Sequence, residues 1–221
     1  MAHTIDDRAV IFDMDGVLLD SEPLHYQALS RVLTREGYTW TVADNERLLG
    51  TTVEDSFRII DEMVHLRLPR EYFLTTYEAE ALALLQGPLE PSAGVVSSID
   101  MLAERGLCLA VASSSRRSWI DATLRSLGIA GRFSVVVSGD EVANGKPAPD
   151  IYLRAAGLLN MAPEVCTAVE DAPNGLLSAR SAGMRVVAVR TPYTKNLDLS
   201  QADVVIDSLE ELSLVNLGVV K

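Results

Sequence analysis

Positive charge is scarce in this chain. Nineteen lysines and arginines stand against 31 aspartates and glutamates, for a formal net charge of −12. That balance argues against nucleic acid or an anionic membrane as a partner, since both are held by clustered basic side chains. It does not exclude a phosphorylated substrate, because salt screens long-range repulsion beyond about 10 Å and the local field then decides binding. No apolar run approaches the length of a membrane span. The start, Met1-Ala2-His3-Thr4-Ile5-Asp6-Asp7, lacks a basic region followed by an apolar one. These absences predict a cytoplasmic protein. Cysteine is nearly missing as well. Cys108 and Cys166 sit in apolar, strand-like runs without Cys-x-x-Cys spacing, which favours buried free thiols over a disulfide or a thiolate metal site. A nucleotide P-loop is also wanting. Gly139 to Gly145-Lys146 imitates one, but five residues rather than four separate the glycines, and Pro147 stands where Ser or Thr is required. There is no internal repeat and no low-complexity segment.

What is present begins at Val10-Ile11-Phe12-Asp13-Met14-Asp15-Gly16. An apolar run suited to a buried parallel strand ends in two aspartates two residues apart. On a continuing strand Asp13 and Asp15 would share a face. Gly16 suggests that the chain is already turning, which lets the second carboxylate swing over the strand end. Adjacent carboxylates repel unless a cation or a proton sits between them, so a catalytic or metal site is the stronger reading. A solvated turn with acidic caps is the plainer one.

Three later segments carry complementary groups. Leu109–Ala112 is apolar and ends in Ser113-Ser114-Ser115; Asn144-Gly145-Lys146-Pro147 sets one lysine between glycine and proline; Thr167-Ala168-Val169 ends in Glu170-Asp171. Hydroxyl, ammonium and four carboxylates, each at a strand or loop end, suit phosphoryl transfer. In that chemistry carboxylates hold Mg²⁺, an oxygen-seeking cation. Lysine and serine neutralise phosphoryl oxygens, and one aspartate attacks phosphorus.

Short strands, apolar on both faces, alternate with helical stretches, the pattern of a parallel sheet covered by helices. Strands are expected near 9–12, 107–112, 134–137, 166–169, 185–189 and 203–206, and helices near 94–105, 116–127, 149–159, 174–182 and 209–212. Between the first two strands the chain reads as helices only: 22–36, 42–48, 53–65 and 70–85. Leu29 and Leu33, and Phe57, Ile60 and Val64, recur there at helical spacing. This insert is too long for a simple crossover. It predicts a second, all-helical domain over 18–88, a cap, on an α/β core formed by 1–17 with 89–221. Pro88 and Pro91 mark its return.

The order Asp-x-Asp-Gly, strand-Ser, Gly-Lys-Pro and Glu-Asp-x-x-x-Gly resembles the haloacid dehalogenase superfamily, and within it the β-phosphoglucomutase-like phosphatases. The resemblance runs from Val10 to about Leu212. It implies a Rossmann-like parallel sheet flanked by helices, with a small helical cap after the first strand. It also implies an Mg²⁺-dependent phosphatase acting on a small phosphorylated metabolite, a sugar phosphate, and working as a monomer. The resemblance makes Asp13 the nucleophile and Asp15 the general acid–base; spacing alone leaves the two interchangeable. Mg²⁺ is then expected on the Asp13 carboxylate, the Asp15 backbone carbonyl and Asp171. Glu170 is either a further metal ligand or a brace. Ser113, the Ser114 backbone N–H and Lys146 are expected on the phosphoryl oxygens. Relatives often carry a histidine where His25 stands. Ser115-Arg116 aligns with a Ser-Lys pair that the mutase uses for a second phosphate, and the loop around Gly50 belongs to the substrate side. In the mutase an arginine follows that glycine by three residues; here the position is Val53. Valine cannot bind phosphate, which favours hydrolysis over the alternative, a sugar-phosphate mutase. A non-catalytic regulator is disfavoured by the intact Asp13, Asp15, Lys146 and Asp171, and a dehalogenase by Asp15 and Asp171.

Overall fold

The computed structural model describes residues 8–48 and 53–220. In chain order, strand β1 (Ala9–Phe12) is followed by helices α1 (Glu22–Arg35), α2 (Val42–Asn45), α3 (Val53–Val64) and α4 (Arg70–Leu85). Then α5 (Val95–Glu104), β2 (Cys108–Ser113), α6 (Arg117–Ser126), β3 (Val135–Ser138) and α7 (Asp150–Leu158) alternate. β4 (Cys166–Glu170), α8 (Pro173–Ser181), β5 (Arg185–Val189) and β6 (Val204–Ile206) complete the chain. Two compact units result, Met1–Asp20 with Pro88–Lys221, and Ser21–Gly87. Among the described residues no helix is long and apolar enough to cross a membrane.

The first unit is a six-stranded sheet of order β3-β2-β1-β4-β5-β6, with every neighbouring pair parallel. Parallel strands need helical crossovers, and helices therefore cover both faces. The two-residue alternation of β1 divides its side chains between two cores. Val10 and Phe12 pack with Val95, Ile99 and Leu102 of α5 and with Ile120 and Leu124 of α6. Ala9 and Ile11 pack with Ile151, Tyr152 and Ala155 of α7 and with Leu176 and Ala179 of α8. All four β1 residues are buried, which accounts for the continuous apolar run.

Register fixes what gathers at the carboxyl edge. Ala9 pairs with Cys108 on one side and Cys166 on the other, and Phe12 with Val111 and Val169. The ladder extends one residue further, with the Asp13 N–H donating to the Val169 carbonyl at 2.9 Å. Asp13 is thus level with Ala112 and Glu170, at the point where the chain connects outward from β1 in both directions. Ligands of open α/β sheets bind at such a switch point.

The second unit buries Leu29, Val32 and Leu33 of α1 with Trp40, Ile60 of α3 and Phe73 of α4. Glu80 of α4 accepts from Arg35 at 2.6 Å and from Arg31 at 3.4 Å, tying α4 to α1. A capping box between Thr41 and Asp44 starts α2.

The structure departs from the expected elements at two places. The helix expected over 42–48 runs only to Asn45 and tightens into a 3-10 turn at Glu46–Leu48, as helix ends commonly do. The stretch expected to be helical over 209–212 is a 3-10 turn, Leu209–Glu211, opened by the Ser208 hydroxyl accepting from the Glu210 N–H. Leu209 and Leu212 are both buried there, three residues apart, a spacing that three residues per turn aligns.

Candidate active site

The ends of β1, β2 and β4 and the loop before α7 bring six of the expected residues together. Asp13 follows β1 and is buried. Lys146, in the 139–149 connection, reaches under the edge and spends its ammonium on three acceptors. These are Asp13 Oδ1 at 2.7 Å, Glu170 Oε1 at 2.6 Å and the Ala112 carbonyl at 3.0 Å. An ammonium has three N–H donors, so all three are in use. Glu170 ends β4, and Asp171 is the next residue. One carboxylate oxygen each from Asp13, Glu170 and Asp171 lie within 4.8 Å of one another.

Gly16 makes room for this cluster. Its φ of 80° lies in the left-handed region, and a Cβ there would collide with the Asp171 carboxylate. Only glycine meets both demands without cost. Gly175, in the first turn of α8, meets only the steric demand: a Cβ would overlap the Glu170 carboxylate.

The opposite side of the edge is built from hydroxyls. Asp15 Oδ2 accepts from Ser115 Oγ at 2.7 Å and Ser113 Oγ at 3.4 Å, while the Ser115 N–H donates to Ser113 Oγ at 3.1 Å. The turn between β2 and α6 thus ties the Asp15 carboxylate to the hydroxyls of Ser113 and Ser115. Ser114 and Arg116 are exposed on that same turn. His25 lies in the other unit, half-buried on α1, with Nδ1 2.9 Å from the Tyr77 hydroxyl. Gly50 lies outside the described residues.

Charge is the strongest property of the cluster. Burial works against the Lys146 charge, but Asp13 and Glu170 outweigh it and hold its pKa above the ordinary lysine value. Lys146 therefore stays an ammonium, and the carboxylates carry the imbalance. Burial pushes Asp13 up to about 7, with Lys146 opposing and Glu170 and Asp15 adding to the rise. Asp171 is pushed up to about 9 by burial, then by Glu170 and Asp13, against the pull of Lys146. Three carboxylates around one ammonium leave two surplus negative charges when all are ionised. That is the charge of a divalent cation, and an all-oxygen donor set suits Mg²⁺.

Within the trio the carboxylates are not equivalent. Glu170 Oε1 accepts from Lys146 and from the Tyr152 hydroxyl at 2.8 Å; Oε2 accepts from the Asp171 N–H at 3.1 Å and lies 3.5 Å from the Ala172 N–H. Its oxygens are engaged by the protein, so Asp13 and Asp171 are the carboxylates best placed to receive a cation. Sequence reasoning missed Tyr152. In the sequence it is one aromatic residue on the sheet-facing side of a helix, with nothing to mark its hydroxyl. It also missed the Ala112 carbonyl, since no side chain reports on a main-chain acceptor.

The parallel sheet, with carboxylates crowded at its switch point after an Asp-x-Asp strand end, defines a doubly wound α/β protein whose candidate site lies at that edge. A family model described as haloacid dehalogenase-like hydrolase matches residues 10–189, and the chain belongs to that family. It is 36% identical over 217 residues to Protein CbbY of Rhodobacter capsulatus, covering 89% of this chain and 91% of that one. It is 35% identical over 177 residues to the Phosphorylated carbohydrates phosphatase of Thermotoga maritima, covering 80% of this chain and 82% of that one. Among solved structures it is similar to a mutant of CbbY from Rhodobacter sphaeroides in complex with xylulose-(1,5)bisphosphate. The TM-score is 0.83 at 30% identity, covering 95% of this chain and 98% of the other.

Proposed function

We propose that this chain is an Mg²⁺-dependent phosphatase that hydrolyses a small phosphorylated sugar through an aspartyl phosphate on Asp13. The observation that carries the reading is the Asp13 carboxylate itself, buried at the switch point between the Lys146 ammonium and the carboxylates of Glu170 and Asp171. Bound Mg²⁺, held by Asp13, Asp171 and the Asp15 carbonyl, would offset the surplus carboxylate charge and polarise a phosphoryl oxygen.

In the first step an Asp13 oxygen attacks phosphorus. The ester P–O bond breaks, its electron pair leaves on the sugar oxygen, and Asp15 supplies that oxygen with a proton. In the second step Asp15 takes a proton from water as the water attacks phosphorus. The P–O bond to Asp13 breaks and the carboxylate is restored. Ser113 and the Ser114 N–H are suited to bind phosphoryl oxygens, with Ser113 exchanging its contact to Asp15 for one to the substrate. Lys146 aims and neutralises. The Ser21–Gly87 unit is the cap in this reading, and it selects the sugar.

Sugar phosphates are favoured as the substrate class by the carbohydrate phosphatase relative and by the bisphosphate held in the CbbY complex. Hydrolysis is favoured over phosphoryl return to the sugar because valine stands at Val53, where the mutases need an arginine. A screen of sugar phosphates with Mg²⁺, with and without a hexose bisphosphate primer, tests both points. Release of inorganic phosphate without isomerisation is the expected result. Efficient primed interconversion of hexose 1- and 6-phosphates would establish the mutase instead, and no turnover of any phosphate ester would leave a non-catalytic regulator.

A further inference from the structure

We propose that Tyr152 is a positioning residue for the reaction: its buried hydroxyl locks the Glu170 carboxylate, and the locked carboxylate aims the Lys146 ammonium at Asp13. The inference rests on the phosphatase reading above for its catalytic consequence, but not for its geometry.

Tyr152 is fully buried on α7 within the apolar layer that covers one face of the sheet. Phenylalanine would fill that layer equally well. A buried hydroxyl is costly unless it is bonded, so the oxygen needs a separate reason. It donates to Glu170 Oε1 at 2.8 Å. The same oxygen accepts from Lys146 at 2.6 Å, and the ammonium lies 5.2 Å from the centre of the Tyr152 ring. Burial first, and then the Glu170 charge, hold the Tyr152 pKa well above its ordinary value, so the hydroxyl remains a donor.

Each group in the chain has its rotation removed by the next. The Glu170 carboxylate is held at Oε1 by Tyr152, at Oε2 by the Asp171 N–H, and closely walled by Gly175. With Glu170 fixed, the ammonium has one direction left for its remaining donors, toward Asp13 Oδ1 and the Ala112 carbonyl. The Lys146 side chain is only 8% exposed, so water is a poor substitute for any of the three acceptors. Removing the hydroxyl leaves Oε1 of Glu170 with Lys146 as its one donor, so that oxygen is held less firmly. The ammonium follows it, and its aim at Asp13 loosens.

The test is Tyr152→Phe, which keeps the ring and its packing. The chain has three lysines, Lys146, Lys195 and Lys221, and Lys195 is exposed. A nitrogen-15 lysine spectrum of the intact protein should show the Lys146 ammonium as the slowly exchanging signal of the described lysines. In Tyr152→Phe that signal should shift, and its protons should exchange about tenfold faster. With p-nitrophenyl phosphate and Mg²⁺, kcat should fall about tenfold while KM stays within about twofold. Glu170→Gln should lose more, and the double variant no more than Glu170→Gln alone, because Tyr152 acts through Glu170. An unchanged Lys146 signal in Tyr152→Phe, whatever happens to its melting temperature, would overturn the proposal. So would losses that multiply in the double variant. If Glu170→Gln does not fold, the ammonium signal of Tyr152→Phe decides alone. A wild-type protein that turns over no phosphate ester defeats the phosphatase reading but leaves that spectrum still able to decide the positioning.

Discussion

The carboxyl edge of the sheet and the helical Ser21–Gly87 unit solve the placement of charge in opposite ways. At the edge, Asp13, Lys146 and Glu170 are buried and bonded to one another, with side-chain exposures of 9%, 8% and 1%. In the helical unit the charged groups that join α1 to α4 are more open: Arg31 and Arg35 are 44% and 59% exposed, and only Glu80, at 14%, is well covered. Buried charges are costly to assemble and costly to break, whereas exposed pairs contribute little. The edge is therefore where stability is most sensitive to the loss of a single charge. The helical unit is held by its apolar core, and its charged pairs lie nearer the surface.

Substitutions should sort by this difference. The largest effect is expected at Asp13→Asn, which keeps the volume and removes the proposed nucleophile: turnover of p-nitrophenyl phosphate should fall by at least roughly 10⁴-fold in protein that remains folded. Retention of a tenth of the activity would take Asp13 out of that role.

Lys146→Ala should strike activity and stability together. Loss of the ammonium leaves Asp13 and Glu170 buried without their counter-charge, at a cost on the order of 3–5 kcal/mol in metal-free protein, read by urea unfolding. A variant as stable as the parent would show that the edge tolerates unpaired charge and would erase the contrast with the helical unit.

A pH series with and without Mg²⁺ sharpens the comparison. Asp13 and Asp171 are both raised from an ordinary value of 3.8, to about 7 and about 9, by burial above all. For a carboxyl whose folded pKa is raised, the folded state binds more protons, so stability falls as pH rises from the unfolded value through the folded one. Metal-free protein should accordingly lose stability from these two groups between about pH 4 and pH 9, and keep their full contribution below that window. Mg²⁺ binds the ionised form, so the rise in melting temperature that it produces should be larger at pH 8 than at pH 5. A metal-induced rise that is independent of pH would separate the cation from these carboxylates.

The smallest effect belongs to the helical unit. Glu80→Gln should destabilise by no more than about 1 kcal/mol and leave kcat unchanged, since its partners are exposed arginines. A loss of turnover comparable to that of Lys146→Ala would mean that the α1–α4 pairing is part of the chemistry.

How far the sequence could be read follows the same division. β1 was legible because strands buried on both faces must be continuously apolar, and Asp13 because its charge ends that run. Register then carried Ser113 and Glu170 to the same edge, and each stands directly after an apolar strand in the sequence. Whether Glu170 faces a cation or Lys146 was not legible. It depends on Tyr152, which is distant in sequence and looks like any core aromatic. The contact of Asp15 with Ser115 was hidden for a related reason, since a turn of three serines has no periodicity to say which hydroxyl points inward. In the helical unit, spacing located α1, α3 and α4 to within a residue, because Leu29, Leu33 and Ile60 face one core. The 3-10 turn at Glu46–Leu48 was invisible to the same pattern, as three residues are too few to separate periods of 3.0 and 3.6.

The central claim is that Asp13 becomes covalently phosphorylated. Protein turning over p-nitrophenyl phosphate with Mg²⁺ can be quenched in acid, digested, and examined by mass spectrometry. The account predicts a base-labile, hydroxylamine-sensitive phosphoryl group on the peptide that contains Asp13, and none in Asp13→Asn. Steady release of phosphate with no acyl phosphate on that peptide, or with the phosphoryl group on a serine instead, would contradict it.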